Sequence, residues 1–164
     1  MTAVELRRKT CCFTGHRDLP LEKAQEIAEQ TTNEIRRLIV NHGVCFFGVG
    51  GAIGYDTLAA KILFRLRETD FPNIKVILVY PFDGYTDRWS AMQKAEYKRL
   101  FPQYDKVVCV CGNPSKEAYL ARDRHLIDSS DYCIAYCIRD YGGTAYTIRY
   151  AKQRGVSISN IANS

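Results

Sequence analysis

A chain of 164 residues, 46% hydrophobic and 25% charged, has the size of one domain around one core and is neither a disordered nor a collagen-like sequence. Its net charge of +5 suits an anionic partner. The basic residues, including Arg7, Arg8, Lys9, Arg36, Arg37, Arg149, Lys152 and Arg154, nevertheless form no long stripe interleaved with aromatics of the kind that tracks a nucleic acid.

Short apolar runs alternate with longer amphipathic segments along the whole chain, which is the pattern of repeated βα units and a parallel sheet. The first run predicts a strand over 10–14. Ala24, Ile27, Ala28, Thr31, Ile35, Leu38 and Ile39 then recur at helical spacing, and Gly43 is placed to cap the C-terminus of that helix. A second strand is predicted over 44–48 and a helix over 55–68, with Leu58, Ala59, Ile62, Leu63 and Leu66 on its buried side. The run 75–80 is almost wholly aliphatic, as in a strand covered on both faces. A helix over 87–101 and a strand over 106–110 follow, and Asn113 and Pro114 supply an N-cap and first helical position for a helix reaching 129. A strand over 132–137, a helix over 144–154 and a sixth strand within 156–161 complete the chain. The expected architecture is a single α/β domain over 1–164, a three-layer Rossmann-like fold whose mainly parallel sheet of five or six strands has helices on both faces.

The residues that local structure leaves unexplained follow the first, second, third and fifth strands, and those loops open on one edge of a parallel sheet, where open α/β proteins bind ligands. Thr14, Gly15, His16 and Arg17 follow the first strand: the glycine permits close backbone approach, the arginine can pair with a phosphate, and Thr14 or His16 can hydrogen-bond. After the second strand, Gly50, Gly51, Ala52 and Gly54 enter a helix, exposing amides to an anion at the positive end of the helix dipole. Asp56 beyond them either steadies the first helical turn or accepts hydrogen bonds from a ribose. Tyr80 and Pro81 precede a loop holding Tyr85 and the lone tryptophan, Trp89, which either stack on a base or pack beneath their own helix. Gly142, Gly143 and Thr144 after the fifth strand form a second candidate phosphate cradle. Arg122 shares a helix face with Tyr119 and Leu126 and is either an inward anion clamp or half of a surface ion pair.

Seven cysteines at adjacent, C-x-C and C-x-x-x-C spacings, each in or beside an apolar run, suit neither a disulfide framework nor a metal site and read as reduced, packed thiols. No metal is expected and no cofactor is required by the pattern. The sequence has no apolar stretch of membrane-spanning length, and charges between Met1 and Lys9 stand where a signal peptide would be apolar, so a cytoplasmic protein without a membrane partner is expected.

In order, these motifs resemble the SLOG superfamily of Rossmann-like proteins, which includes the YpsA-like family, DNA-processing protein A and the Lonely Guy phosphoribohydrolases. Cys12-Phe13-Thr14-Gly15-His16-Arg17 and the turn from Gly50 to Asp56 are most similar to the YpsA-like branch. In the phosphoribohydrolases a substrate-binding arginine corresponds to Arg122, and Gly142, Gly143 and Thr144 resemble parts of a P-G-G-x-G-T-x-x-E signature. Here Tyr141 replaces the proline, the spacing is shorter and no glutamate follows. A proton-transferring group must lie within hydrogen-bond reach of the reacting atoms, and that glutamate's place is empty by sequence.

The leading expectation is a protein that senses or sequesters a nucleotide or nucleotide-derived small molecule, of ADP-ribose or dinucleotide type, with Arg17 and Arg122 as charge partners of its phosphates. The alternative is a hydrolase of an N-glycosidic or phosphate bond, with Asp56 or Asp123 as the catalytic carboxylate. Single-stranded DNA binding, implied by the likeness to DNA-processing protein A, is a further reading. The resemblance also implies a homodimer. If the glycine turns are phosphate cradles, a bulky residue at Gly51 or Gly142 should abolish binding and leave the fold intact.

Overall fold

The computed structural model describes residues 1–163. Helices are α1 (Ala3–Arg8), α2 (Ala24–His42), α3 (Tyr55–Glu68), α4 (Ala91–Leu100), α5 (Lys116–Asp128) and α6 (Gly143–Gln153). Strands are β1 (Thr10–Gly15), β2 (Phe46–Val49), β3 (Lys75–Tyr80), β4 (Lys106–Cys109), β5 (Tyr132–Tyr136) and β6 (Ser157–Asn160). They form one six-stranded sheet in the order β4-β3-β2-β1-β5-β6, with every neighbouring pair parallel. The expected Rossmann-like α/β fold is the one observed.

Alternation along β1 sorts side chains between the two layers. Cys11 and Phe13 join the larger core, built with Ile27, Ile35 and Leu38 of α2, Leu63 of α3 and Leu100 of α4. Cys12 faces the other way, into a smaller cluster with Leu126 and Ile127 of α5 and Ala151 of α6. Cys11, Cys12, Cys133 and Cys137 are buried and Cys109 is exposed; all seven thiols are free.

Three of the differences from the sequence reading come from capping chemistry. Thr2 accepts from the Glu5 amide while the Glu5 side chain accepts from the Thr2 amide, and this capping box starts the unanticipated α1. A second capping box, Ser90 with Gln93, delays α4 beyond the predicted 87, because turns closed by Asp87 onto Gly84 and by Trp89 onto Thr86 intervene. Ser115, not Asn113, caps α5: its hydroxyl accepts from the Ala118 amide at 3.1 Å. Gly43 does end α2 in the left-handed conformation, φ 67°, passing its amide to Ile39 and the next amide, from Val44, to Leu38. Among the described residues no helix is long and apolar enough to cross a membrane.

Candidate functional site

Because β1 pairs with β2 on one side and β5 on the other, the chain leaves these strands in opposite directions and a crevice opens beyond their carboxyl ends. This crevice is a cavity of about 320 Å³. It gathers Thr14, Gly15, His16 and Arg17 from the end of β1, Ala52 and Asp56 from the start of α3, Arg122 and Asp123 from α5, and Gly142, Gly143 and Thr144 from the start of α6. Five predicted residues, Gly50, Gly51, Gly54, Tyr80 and Pro81, are not among its lining.

The floor is a charged cluster. Arg122 is 5% exposed, its Nη1 donates to the Gly50 carbonyl, and its Nε donates to Asp123 Oδ1 at 2.7 Å. Asp123 also accepts from the Thr147 hydroxyl at 3.2 Å, which fixes α5 to α6. Asp56 is 7% exposed and turns back to accept from the Ala52 amide at 3.2 Å. Burial pushes the Asp56 carboxyl up to about 6, against the opposing pull of Arg122 and the Ala52 amide. Burial also works against the charge on Arg122, but Asp123 and Asp56 outweigh it and raise the guanidinium's pKa. Arg122 is therefore neither a surface ion pair nor a free clamp: it is a buried strut, with its charge held beneath the crevice by two carboxyls.

The walls are less occupied. His16 accepts on Nε2 from the Ile138 amide at 2.9 Å, tying the exit of β1 to the exit of β5. Burial, then the nearby Arg139 charge, lowers its pKa, so the ring is neutral near pH 7 with its proton on Nδ1. At the mouth, Arg139 grips Asp18 through two bonds of 2.7 and 3.1 Å and lowers the Asp18 carboxyl to about 2. Arg17 lies over the Tyr119 ring, 5.3 Å from its centroid. The N-terminus of α6 faces the open space: its cap, Gly142, offers no side-chain cap bond, and a Cβ on Gly142 or Gly143 would meet nothing within 4 Å. The first amides of a helix have no internal partner, so those of Gly143 and Thr144 are presented to the crevice with the positive end of the dipole.

The Gly50 to Gly54 turn has a different use. A Cβ on Gly51, at φ 70°, would stand 2.5 Å from both Leu78 Cδ1 and Tyr85 Oη, and one on Gly54 would stand 2.4 Å from the Arg17 carbonyl oxygen. The Asp56 carboxylate already takes the Ala52 amide within the turn. Tyr80 donates to Asp83 at 2.6 Å and stacks on Tyr85, and the Pro81 carbonyl accepts from Cys111; both serve the β3–β4 region.

Asp18, Tyr119, Arg139 and Tyr141 also line the crevice and are not among the predicted site residues. Position at the carboxyl end of a strand is a signal available for Arg139 and Tyr141; the pairing of Arg139 with Asp18, 121 residues away, has none. Chemically, the crevice combines a helix N-terminus fit for phosphate with a buried carboxyl poised to exchange a proton near neutral pH. Among the described residues no group of three or more His, Cys, Asp or Glu side chains is disposed to hold a metal ion.

The chain is similar to a UPF0398 protein of Staphylococcus epidermidis, at 25% identity over 77% of this chain and 71% of that one. It is 30% identical to the uncharacterized SPbeta prophage-derived protein YoqJ of Bacillus subtilis, over 73% of this chain and 76% of that one. Its fold is like that of DNA processing protein A from Helicobacter pylori, whose structure addresses a single-stranded DNA binding mode (TM-score 0.64, 19% identity, 98% of this chain and 72% of that one). DNA processing protein A from Streptococcus pneumoniae is similar too (TM-score 0.62, 15% identity, 91% of this chain), and the chain spans about half of it, 48%. Residues 11–160 match the model of YpsA, described as the YspA SLOG family. The all-parallel sheet, the crevice at its switch point and this match over most of the chain agree, and the protein belongs to the YpsA family of SLOG proteins.

Proposed function

We propose that the protein binds a nucleotide-derived small molecule in the β1/β5 crevice, with phosphate at the α6 N-terminus and sugar hydroxyls toward Asp56 and Asp123, and that it acts as a sensor or sequestering protein. The observation that carries this reading is the uncapped α6 N-terminus facing open space, with the exposed Arg17 on the lining of the same crevice. A cavity of about 320 Å³ lies at the lower end of the size of small-molecule sites and suits a nucleotide better than a length of strand.

The test is calorimetric titration with AMP, ADP-ribose and NAD, followed by chromatography of the incubated ligands. Saturable binding without turnover is expected. Lack of binding by all three, at millimolar ligand, would sink the reading. A hydrolase is the second reading, favoured by the proton-exchanging character of Asp56; release of ribose 5-phosphate that is lost in Asp56→Asn or Asp123→Asn would promote it. Single-stranded DNA, the subject named for the Helicobacter pylori protein, is the third. It would be favoured by oligonucleotide affinity that falls steeply with salt.

A further inference from the structure

Past Tyr119 the crevice continues into a second cavity of about 510 Å³, walled by Phe82, Tyr85, Trp89, Pro114 and Tyr119. Arg17 and Tyr119 belong to both cavities, so the stacked guanidinium and ring form a low step between them. The aromatic walls are set before any ligand arrives. Phe82 meets Tyr119 edge to face at 5.4 Å, Tyr85 meets Trp89 likewise at 5.5 Å, and the Tyr85 hydroxyl is anchored on the Gly51 carbonyl at 3.0 Å.

The two cavities share Arg17 and differ in the rest of their lining. Only the first has the N-terminus of α6 on its lining, which favours an anion. The second has the exposed carboxylates Asp83 and Asp87 beside the exposed Arg88 on its lining, and the carboxylates accept from N–H donors. A flat, uncharged, aromatic group carrying amino hydrogens fits such a place, and its attached phosphate fits the other.

We infer that the aromatic cavity is a second subsite of the same ligand, taking an amino-bearing nucleobase across the Arg17–Tyr119 step from the phosphate. This inference rests on the phosphate reading of α6 given above. The ligand it specifies is a nucleoside phosphate bound in extended form, with the ribose over the step and any further sugar lying toward Asp56. Stacking of a base on Trp89 supplies affinity that a sugar phosphate alone cannot have.

The chain has one tryptophan, Trp89, which lines the second cavity and a neighbouring one against α3 and α4 but not the first, so its emission separates base binding from phosphate binding. The unaltered protein is titrated with ribose 5-phosphate, AMP and ADP-ribose, each followed by calorimetry and by tryptophan emission. AMP and ADP-ribose should change the emission over the same concentration range in which they release heat, whereas ribose 5-phosphate should bind more weakly and leave it unchanged. In Trp89→Ala, ADP-ribose affinity should fall roughly 5- to 150-fold, the range for one stacked base, with ribose 5-phosphate affinity unchanged as the sign of an intact fold. The emission measurement needs no variant and stands even if Trp89→Ala does not fold. Heat from ADP-ribose with unchanged emission overturns the second subsite and leaves the phosphate reading standing. Absence of heat with all three ligands overturns both.

Discussion

Two glycine turns enter helices at the same edge of the sheet, and they look alike in sequence. Gly50–Gly54 leads into α3 and Gly142–Gly143 leads into α6. In the first, absence of a side chain admits protein: Gly51 admits Leu78 and Tyr85, Gly54 admits the Arg17 backbone, and Asp56 fills the amide pocket. In the second, added Cβ atoms would meet nothing within 4 Å. Adjacent glycines before a helix therefore signal close approach of something, and only the fold decides whether that is the protein itself or a ligand.

The largest expected effect breaks the first turn. Gly51→Val combines a β-branched residue at φ 70° with a Cβ 2.5 Å from Leu78 and Tyr85. Left-handed strain of about 1–3 kcal/mol and overpacking of a similar size should together cost about 2–6 kcal/mol. Chemical denaturation should show a severely destabilised or unfolded protein. This corrects the expectation that bulk at Gly51 would spare the fold, and a stable Gly51→Val protein would show that the turn is looser than its contacts imply.

Next is the strut under both turns. Arg122→Ala removes the donor to the Gly50 carbonyl and leaves Asp56 and Asp123 without their buried cation. Breaking a buried pair in this way costs about 3–5 kcal/mol. The loss should appear in the unfolding free energy without any ligand; a change confined to ligand affinity would restore the clamp.

Asp56 sharpens the comparison through pH. Its folded pKa, raised to about 6 by burial, exceeds the ordinary 3.8, so the native state holds the proton more tightly than the unfolded state. This stabilisation is complete below about pH 4 and is lost as pH rises through 6. At pH 7 the ionised group costs up to about 3 kcal/mol, since each tenfold gain in proton affinity on folding is worth about 1.4 kcal/mol. Asp56→Asn keeps an acceptor for the Ala52 amide, so it should raise the melting temperature at pH 7 and flatten stability between pH 4 and 6. Equal pH profiles for the two proteins would mean that Arg122 fully compensates the carboxylate.

Most of the fold is legible in the sequence because strands buried on both faces read as continuous apolar runs, and the six observed strands overlap the six predicted ones. The helix starts that differ depend on one or two capping bonds each. The Thr2-x-x-Glu5 pattern is itself a readable helix start, whereas the choice of Ser115 over Asn113 depends on geometry. For the site, strand ends point to the right edge of the sheet, because loops after parallel strands must converge there. The role of Arg122 is not legible, since its partners are its neighbour Asp123, which helical spacing places on a different face, and the carbonyl of Gly50, 72 residues away. Tyr119 reads from sequence only as a marker of that helix face, although it forms the step between the two cavities.

The smallest stability effect and the most specific binding effect belong to the second turn. Gly143 is the first residue of α6, has no positive φ, and has open space where a Cβ would point. Gly143→Ala should therefore leave the unfolding free energy unchanged or raise it by up to about 1 kcal/mol, because alanine restricts the unfolded chain more than glycine does. If phosphate sits against these amides, the new methyl group occupies part of its volume, and AMP affinity should fall at unchanged or improved stability. Gly142→Ala is the internal control: its φ of 91° adds strain at the same edge of the crevice, so it should lose stability as well as affinity. Full AMP affinity in a folded Gly143→Ala protein would place the phosphate away from α6, leaving Arg17 of the same crevice as the candidate charge partner.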